Sequence, residues 1–154
     1  MKIIFLDIDG VLNHAWSNGN CNDRWESYLI ARLNIITDMT QAKIVLSSTW
    51  RKGYSSMQAL WDAFTKMGIK GDVIDRTPWG LHKKRNLKGA NTMIPRGEEI
   101  QAWLDENNNL NIEKFIILDD ESDMLHLSEH LIQTNYFDGG LHDCHMWECI
   151  RRLT

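Results

Sequence analysis

The sequence lacks long apolar runs, an excess of positive charge and a cysteine framework, and each absence excludes a class of protein. No apolar stretch reaches eighteen residues, which excludes a membrane-spanning helix. The 17 lysines and arginines are outnumbered by 21 aspartates and glutamates, so the whole molecule does not attract nucleic acid as a polycation would. The three cysteines are odd in number and follow no disulfide spacing, so we expect a cytoplasmic protein.

What remains is the composition of an ordinary globular protein. Hydrophobic residues make up 43% of the chain and charged residues 25%. No repeat, low-complexity segment or linker divides the sequence, and 154 residues can bury a sizeable core. We therefore expect residues 1–154 to form a single domain. These patterns do not determine its oligomeric state.

Short apolar runs alternate with segments of helical periodicity along the chain. The predicted strands are Lys2 to Leu6, Lys43 to Ser47, Asp72 to Asp75, Phe115 to Leu118 and Leu131 to Thr134. The predicted helices are Asp23 to Asp38, with a capping box formed by Asp23 and Glu26, then Ser56 to Met67, Gly97 to Glu106 and Asp143 to Leu153. This alternation predicts a three-layer α/β fold, in which a five-stranded parallel sheet carries helices on both faces. Ligands bind such sheets at the carboxyl ends of the strands.

Acidic residues follow two of the predicted strands. Asp7 and Asp9 come directly after the first strand, and Asp119, Asp120 and Asp123 follow the fourth. If the two strands are neighbours, these carboxylates face one another and repel unless a cation is bound. Oxygen-only ligands favour Mg²⁺ over zinc or copper. Each cluster alone would equally fit a surface turn or a helix N-cap, but together they predict a metal site.

Two further residues could hold an anionic group near those acids. Ser47 ends the second strand, where its hydroxyl can donate to a phosphate oxygen. Arg96 precedes a predicted helix, where it could neutralise both a phosphate and a carboxylate. Taken singly, the serine also fits a polar turn and the arginine a solvated surface residue.

These features, in this order, resemble the haloacid dehalogenase superfamily. The resemblance lies in Asp7-x-Asp9-Gly10-Val11-Leu12 for the first motif, Ser47 for the second, Arg96 for the third and Asp119-Asp120 for the fourth. The stretches Leu46 to Arg51, Arg96 to Leu104 and Ile117 to Met124 resemble one branch, the phosphatase-like domain of Swiss Army Knife RNA repair proteins. The resemblance covers essentially the whole chain and implies a HAD-like fold.

The resemblance also implies a role for each motif residue. Asp7 would be the nucleophile that forms an aspartyl-phosphate, and Asp9 would be the general acid and base. Mg²⁺ would lie between Asp7, the backbone carbonyl of Asp9 and Asp120, while Ser47 and Arg96 would hold the phosphoryl oxygens.

Two of these assignments stay open at the level of sequence. Lys83, Lys84 or Lys88 could supply the third-motif charge in place of Arg96. Asp119, Asp120 and Asp123 are all candidates for the direct metal ligand, and those that do not bind the metal would orient its ligands.

The substrate is expected to be a phosphorylated small molecule, a nucleotide or a nucleic-acid end, with no membrane involved. Only about thirty residues separate Asp9 from the second strand, so we expect no large cap and an open site. The irregular stretch from residue 76 to 95 carries a tryptophan and a basic cluster and is expected to face the substrate. The candidate phosphate or substrate contacts are Ser47, Ser48, Arg51, Trp79, Lys83 and Lys88.

Three other readings compete with a phosphatase. A receiver domain also uses strand-end acids, but it does not place an Asp-x-Asp-Gly run after its first strand. A non-catalytic phosphate-binding or nucleic-acid-end-binding module would be expected to lack Asp7 or Asp9. The run His142-Asp143-Cys144-His145-x-x-x-Cys149 could form a zinc site, although a structural helix is the simpler interpretation.

Overall fold

A parallel sheet forms the centre of the computed structural model, which describes residues 1–17, 25–80 and 94–154. Its strands are β1 (Lys2–Leu6), β2 (Lys43–Leu46), β3 (Val73–Arg76), β4 (Lys114–Asp119) and β5 (Leu131–Gln133). The strand order is β3-β2-β1-β4-β5, and every pairing is parallel. The predicted five-stranded parallel sheet is therefore confirmed.

Helices cover both faces of the sheet. They are α1 (Ser27–Thr40), α2 (Met57–Lys66), α3 (Arg96–Glu106) and α4 (Asp143–Leu153), with short 3₁₀ segments at Thr49–Gly53, Leu125–His130 and Tyr136–Asp138. Side chains of α1, α2 and α4 pack in one apolar cluster against one face. Side chains of α3 pack in a second cluster against the other. The predicted three-layer arrangement is confirmed.

The central strand β1 explains where the site lies. Ile4 and Leu6 join the first apolar cluster while Ile3 and Phe5 join the second, so alternate side chains are buried on opposite faces. The chain builds β2 and β3 on one side of β1, then crosses over through α3 to build β4 on the other. The direction of winding therefore reverses between β1 and β4, where parallel sheets leave a crevice for ligands.

The first helix begins later than its sequence pattern suggested. Ser27 is its first residue, and Glu26 lies at the N-cap with extended backbone and no side-chain cap hydrogen bond. The predicted capping box is therefore wrong as regards Glu26, and Asp23 lies outside the described residues. Tyr28 on α1 and Trp61 on α2 are only partly covered, with 46% and 44% of their surfaces exposed. Both are amphipathic rings whose polar atoms are hydrogen-bonded, Tyr28 Oη to His14 and Trp61 Nε1 to the carbonyl of Val73.

The other element boundaries lie within two residues of the predicted ones, and α4 has the predicted bounds. The described residues between β1 and β2 contribute α1 as their one helix or strand, and no cap domain appears in the described part of the chain. Across the same ranges, none of the helices combines the length and the apolar character needed to cross a membrane.

The first turn of α3 packs closely against the loop that follows β4. A Cβ atom at Gly97 would lie 2.2 Å from the backbone carbonyl oxygen of Met124, so one of the two segments would have to move. We expect Gly97→Ala to lower the free energy of unfolding by about 1–3 kcal/mol, as overpacking does elsewhere. Equilibrium urea denaturation measures this. Gly53→Ala is the matched control because nothing lies within 4 Å of the corresponding Cβ. Equal stability of the two variants would contradict the prediction.

Candidate functional site

Three carboxylates meet at the carboxyl ends of β1 and β4. One oxygen each from Asp7, Asp119 and Asp120 lies within 4.8 Å of the others. Asp7 is 4% exposed and Asp119 is fully buried. Asp119 Oδ1 accepts from the backbone N–H of Glu121, while its Oδ2 is buried without a hydrogen-bond donor. A buried oxygen without a hydrogen-bond donor among the described residues, in an all-oxygen cluster, fits a hard divalent cation such as Mg²⁺.

Glycine at position 10 makes room for this cluster. Its φ of +73° lies in the left-handed region, where residues with side chains are strained. A Cβ there would lie 2.4 Å from Cγ of Asp120. The turn after β1 therefore brings the backbone close to the carboxyl group that follows β4, and only glycine permits that approach.

Burial and mutual repulsion shift the acidity of the two carboxyls after β4. Burial, together with the negative charge of Asp7, raises the pKa of Asp119 to about 8. The same two causes raise the pKa of Asp120 to about 6. Without a cation the cluster therefore holds a proton near neutral pH, and a bound divalent cation would displace it.

Arg96, the first residue of α3, provides the positive charge of the described site. Its Nη1 lies 3.3 Å from Asp7 Oδ1 and 3.3 Å from Asp119 Oδ2. The same nitrogen donates to the backbone carbonyl of Ser47 at 2.7 Å. Burial by itself would lower the pKa of Arg96, but the negative charges of Asp7 and Asp119 outweigh it. The pKa is therefore raised above its ordinary value, and the guanidinium stays charged. Its backbone N–H donates to Asp123 Oδ2, which ties α3 to the loop after β4.

Ser47 lies beside this arginine at the end of β2. Its hydroxyl is fully buried and finds no hydrogen-bond partner in the part of the chain that the structure describes, which costs about 1–3 kcal/mol unless a ligand supplies one. Ser48, a second predicted phosphate contact, is also fully buried, and its hydroxyl accepts from the N–H of Trp50.

Arg51 does not reach the site that the sequence suggested. Its side chain is fully buried, and Nη2 lies 2.6 Å from the carboxylate of Glu99 on α3. The remaining donors bind the carbonyls of Ser47, Ser48, Thr77 and Pro78. With these donors committed, Arg51 holds together the loops after β2 and β3 instead of facing a ligand.

Asp9 accepts hydrogen bonds from two neutral donors. Asn13 Nδ2 donates to its Oδ1 at 2.7 Å, and the indole N–H of Trp50 donates to its Oδ2 at 2.8 Å. Asn13 Oδ1 also accepts from the N–H of Gly10, which fixes the turn. The partners of Asp9 were not predicted from sequence, because Trp50 meets it only when β1 and β2 pair.

A cleft of about 820 Å³ opens above these groups. The described residues that line it are Asp7, Asp9, Thr49, Lys52, Gly80, Ile94, Arg96, Glu99, Asp120, Glu121, Asp123, Tyr136 and Phe137. Trp79 is exposed and lies next to Arg76, whose guanidinium carbon is 5.0 Å from its ring, outside this lining. Lys83 and Lys88 lie outside the described residues. The sequence did not predict that Lys52, Tyr136 and Phe137 line the cleft, because their positions there depend on the pairing of strands that are distant in the sequence.

The histidine–cysteine run near the end of the chain does not assemble a metal site. His142 is the N-cap of α4, and its N–H donates to Nδ1 of His145. Cys149 is buried, and burial raises the pKa of its thiol to about 12. Among the described residues, the one group of three or more potential ligands is Asp7, Asp119 and Asp120. The structural-helix interpretation of this run agrees with these contacts.

The raised pKa values of the acidic cluster predict how stability depends on pH. Unfolding returns both carboxyls to a pKa near 3.9, so the folded protein holds protons that the unfolded chain has released. The retained protons therefore stabilise the folded protein relative to the unfolded chain. This contribution to the free energy of unfolding is complete below about pH 4 and is lost as the pH rises through about 6 and 8. In EDTA, we expect wild type to lose on the order of 2 kcal/mol more than Asp119→Asn between pH 5 and 8.

Urea denaturation at pH 5 and pH 8 measures the free energy of unfolding of each protein. Subtracting the change seen in Asp119→Asn from the change seen in wild type removes the contribution of all other titrating groups. Adding Mg²⁺ at pH 8 should restore stability to wild type more than to the variant. Parallel pH profiles for the two proteins would contradict the prediction.

A comparison with protein families agrees with this geometry. The family model described as the HAD domain in Swiss Army Knife RNA repair proteins matches residues 3–146. No curated protein and no solved structure gives a significant match. The match includes all of the sheet except Lys2, and every residue of the acidic cluster, and the chain therefore belongs to the family of HAD domains found in Swiss Army Knife RNA repair proteins.

Proposed function

We propose that this HAD-type hydrolase is a Mg²⁺-dependent phosphomonoesterase that removes a terminal phosphate from a nucleotide or a nucleic acid. The supporting observation is the buried carboxylate of Asp7, which faces a broad cleft and lies among Arg96, Asp119 and Asp120. The whole chain would act as one domain in the cytoplasm.

In the first step, a carboxylate oxygen of Asp7 attacks phosphorus in line with the leaving oxygen. The new oxygen–phosphorus bond forms as the ester bond breaks, which leaves an aspartyl-phosphate on Asp7. Asp9, protonated at this stage, gives its proton to the leaving alkoxide. Asp9 lines the same cleft as Asp7, as this transfer requires.

In the second step, the carboxylate of Asp9 takes a proton from an attacking water. The water oxygen bonds to phosphorus, the aspartyl bond breaks, and inorganic phosphate leaves with Asp7 regenerated. The hydrogen bonds from Asn13 and Trp50 fix the orientation of Asp9 through both steps.

Two positive groups would allow an anionic nucleophile to approach an anionic phosphate. Asp7 and Asp120, with Asp119 next to them, would hold Mg²⁺, which screens the charge between carboxylate and phosphate. Arg96 supplies a second charge, since it lies against Asp7 already. The partnerless hydroxyl of Ser47 would donate to a phosphoryl oxygen.

The substrate class rests on the family and on the shape of the cleft. The family is described by its occurrence in RNA repair proteins, which favours a nucleotide or a nucleic-acid end as the substrate. The cleft has a volume of about 820 Å³, and the described residues add no cap domain over it, so a large phosphorylated molecule could enter. A phosphorylated small molecule would also fit.

Removal of the nucleophile gives the first test of this proposal. With Mg²⁺ and a generic aryl phosphate, Asp7→Asn should lower kcat by at least about a thousandfold, because an amide cannot form the aspartyl-phosphate. EDTA should abolish wild-type turnover. Asp62→Asn is the matched control, because Asp62 is exposed on α2 and accepts from Gln58. Turnover that persists in Asp7→Asn would refute the mechanism.

Folded wild-type protein that binds Mg²⁺ but hydrolyses neither aryl phosphates nor nucleotides would instead favour a binding module on the same fold.

The hydrogen bond from Trp50 to Asp9 predicts a dependence on the leaving group. Trp50→Phe keeps the aromatic ring but removes the N–H donor, so Asp9 should be less well oriented as an acid. We expect kcat/KM for an alkyl phosphate to fall about tenfold and kcat/KM for a nitrophenyl phosphate to fall less, because kcat/KM reports the first step and the better leaving group needs less protonation there. Trp61→Phe is the control, because its indole N–H donates to Val73 on another part of the sheet. Equal losses with both esters would point to general distortion and contradict the assigned contact.

A further inference from the structure

An aromatic pair stands at the mouth of the cleft and has no role in the proposed chemistry. Phe137 is 73% exposed, the highest value among the large apolar residues that the structure describes as exposed. Its ring centroid lies 5.3 Å from that of Tyr136, and the two planes are nearly perpendicular. Both residues line the cleft that contains Asp7 and Asp9.

The loop that carries this pair is fastened to the acidic site. The N–H of Thr134 donates to the carbonyl of Asp119, and its hydroxyl donates to the carbonyl of Gly10. Gln133 Nε2 donates to the carbonyl of Asp120. The loops that follow β1, β4 and β5 are thus joined by direct hydrogen bonds, and a group bound at Phe137 would lie at a fixed offset from Asp7.

The turn itself is also internally fixed. Asn135 Oδ1 accepts from the N–H of Phe137, which caps the short 3₁₀ segment, and the N–H of Ala15 donates to the carbonyl of Tyr136. A Cβ at Gly140 would lie 2.9 Å from the carbonyl oxygen of Val11, so the loop packs closely on the turn after β1. The ring of Phe137 is therefore exposed to solvent on an ordered turn. A ring held in this way can stack on a flat ligand without first being ordered.

A second cleft lies on the other side of the pair. Its volume is about 480 Å³, and it shares Asp120, Tyr136 and Phe137 with the cleft above Asp7. The rest of its described lining is Gln133, Thr134, Asn135, Asp138 and His145, with no lysine or arginine. The lining suits an uncharged group with hydrogen-bonding edges and does not suit a second phosphate.

We infer that Phe137, backed by Tyr136, is the stacking surface for the base of a nucleotide whose terminal phosphate is bound at Asp7. This inference rests on the proposed function, which it narrows from phosphate esters in general to nucleotide substrates. Stacking contributes substantially to binding of single-stranded nucleic acids and tolerates any base, because each base has a flat face. In the second cleft, the base edge would meet Gln133 Oε1 and Asn135 Nδ2, since Gln133 Nε2 donates to Asp120 and Asn135 Oδ1 accepts from Phe137.

The test compares phosphomonoesters with and without a base, since ribose 5-phosphate carries a hydroxyl where the nucleotides carry the base. A nucleoside 5′-monophosphate and ribose 5-phosphate, together with a nucleoside 3′-monophosphate, are assayed with wild type and Phe137→Ala. We expect kcat/KM for the nucleotides to fall about tenfold, mainly through KM, while ribose 5-phosphate changes less than about twofold. Phe137→Trp should retain the nucleotide preference. Trp147→Ala, which removes an exposed aromatic from α4, should change nothing.

Binding measurements separate failure of this inference from failure of the proposed function. Calorimetric titration of Asp7→Asn with each ligand requires no turnover and is repeated with Phe137→Ala added. Loss of nucleotide affinity in that double variant supports stacking even if no ester is hydrolysed. Equal losses for the nucleotides and ribose 5-phosphate, or no loss for either, would overturn the inference. Conversion of an oligomer to a monomer by Phe137→Ala, with nucleotide binding unchanged, would assign the surface to a second copy of the chain instead.

Discussion

Repulsion among three carboxylates within a largely buried pocket is the constraint on which the rest of the site depends. Asp7, Asp119 and Asp120 are brought together by the pairing of β1 with β4, and burial makes their charges costly. The structure meets that cost in two ways, since Arg96 is ion-paired to two of them and a proton is retained near neutral pH. A divalent cation, as proposed above, would be a third and would in turn attract a phosphate.

Contacts around the cleft hold Arg96 in position beside the carboxylates. Arg51 and Glu99 form a buried ion pair that links the loop after β2 to α3, the helix that presents Arg96. Asp123 accepts from the N–H of Arg96 and ties the same helix to the loop after β4. The guanidinium of Arg96 is therefore positioned by contacts to both neighbouring loops, which limits its movement when a ligand binds.

Local sequence patterns predicted the helices, the strands and the acidic residues of the site. They did not predict which side chains contact one another across the fold. The apolar run at Lys2–Leu6, and the acids after it and after β4, were visible because strand ends in a parallel sheet share one edge. The burial of Arg51 could not be seen, since an arginine after a strand looks the same whether its partner is a phosphate or a distant glutamate. The contact between Trp50 and Asp9, and the display of Phe137, likewise depend on pairing between segments far apart in the sequence.

The carbonyl oxygen of Ser47 receives hydrogen bonds from both Arg51 and Arg96. Two cations thus share a single peptide dipole, and they are anchored to backbone and not to the side chain at that position. Another small hydroxyl donor at position 47 would therefore leave both of these arginine contacts in place. The backbone at the end of β2 thus helps to position both guanidinium groups, whatever small side chain stands at position 47.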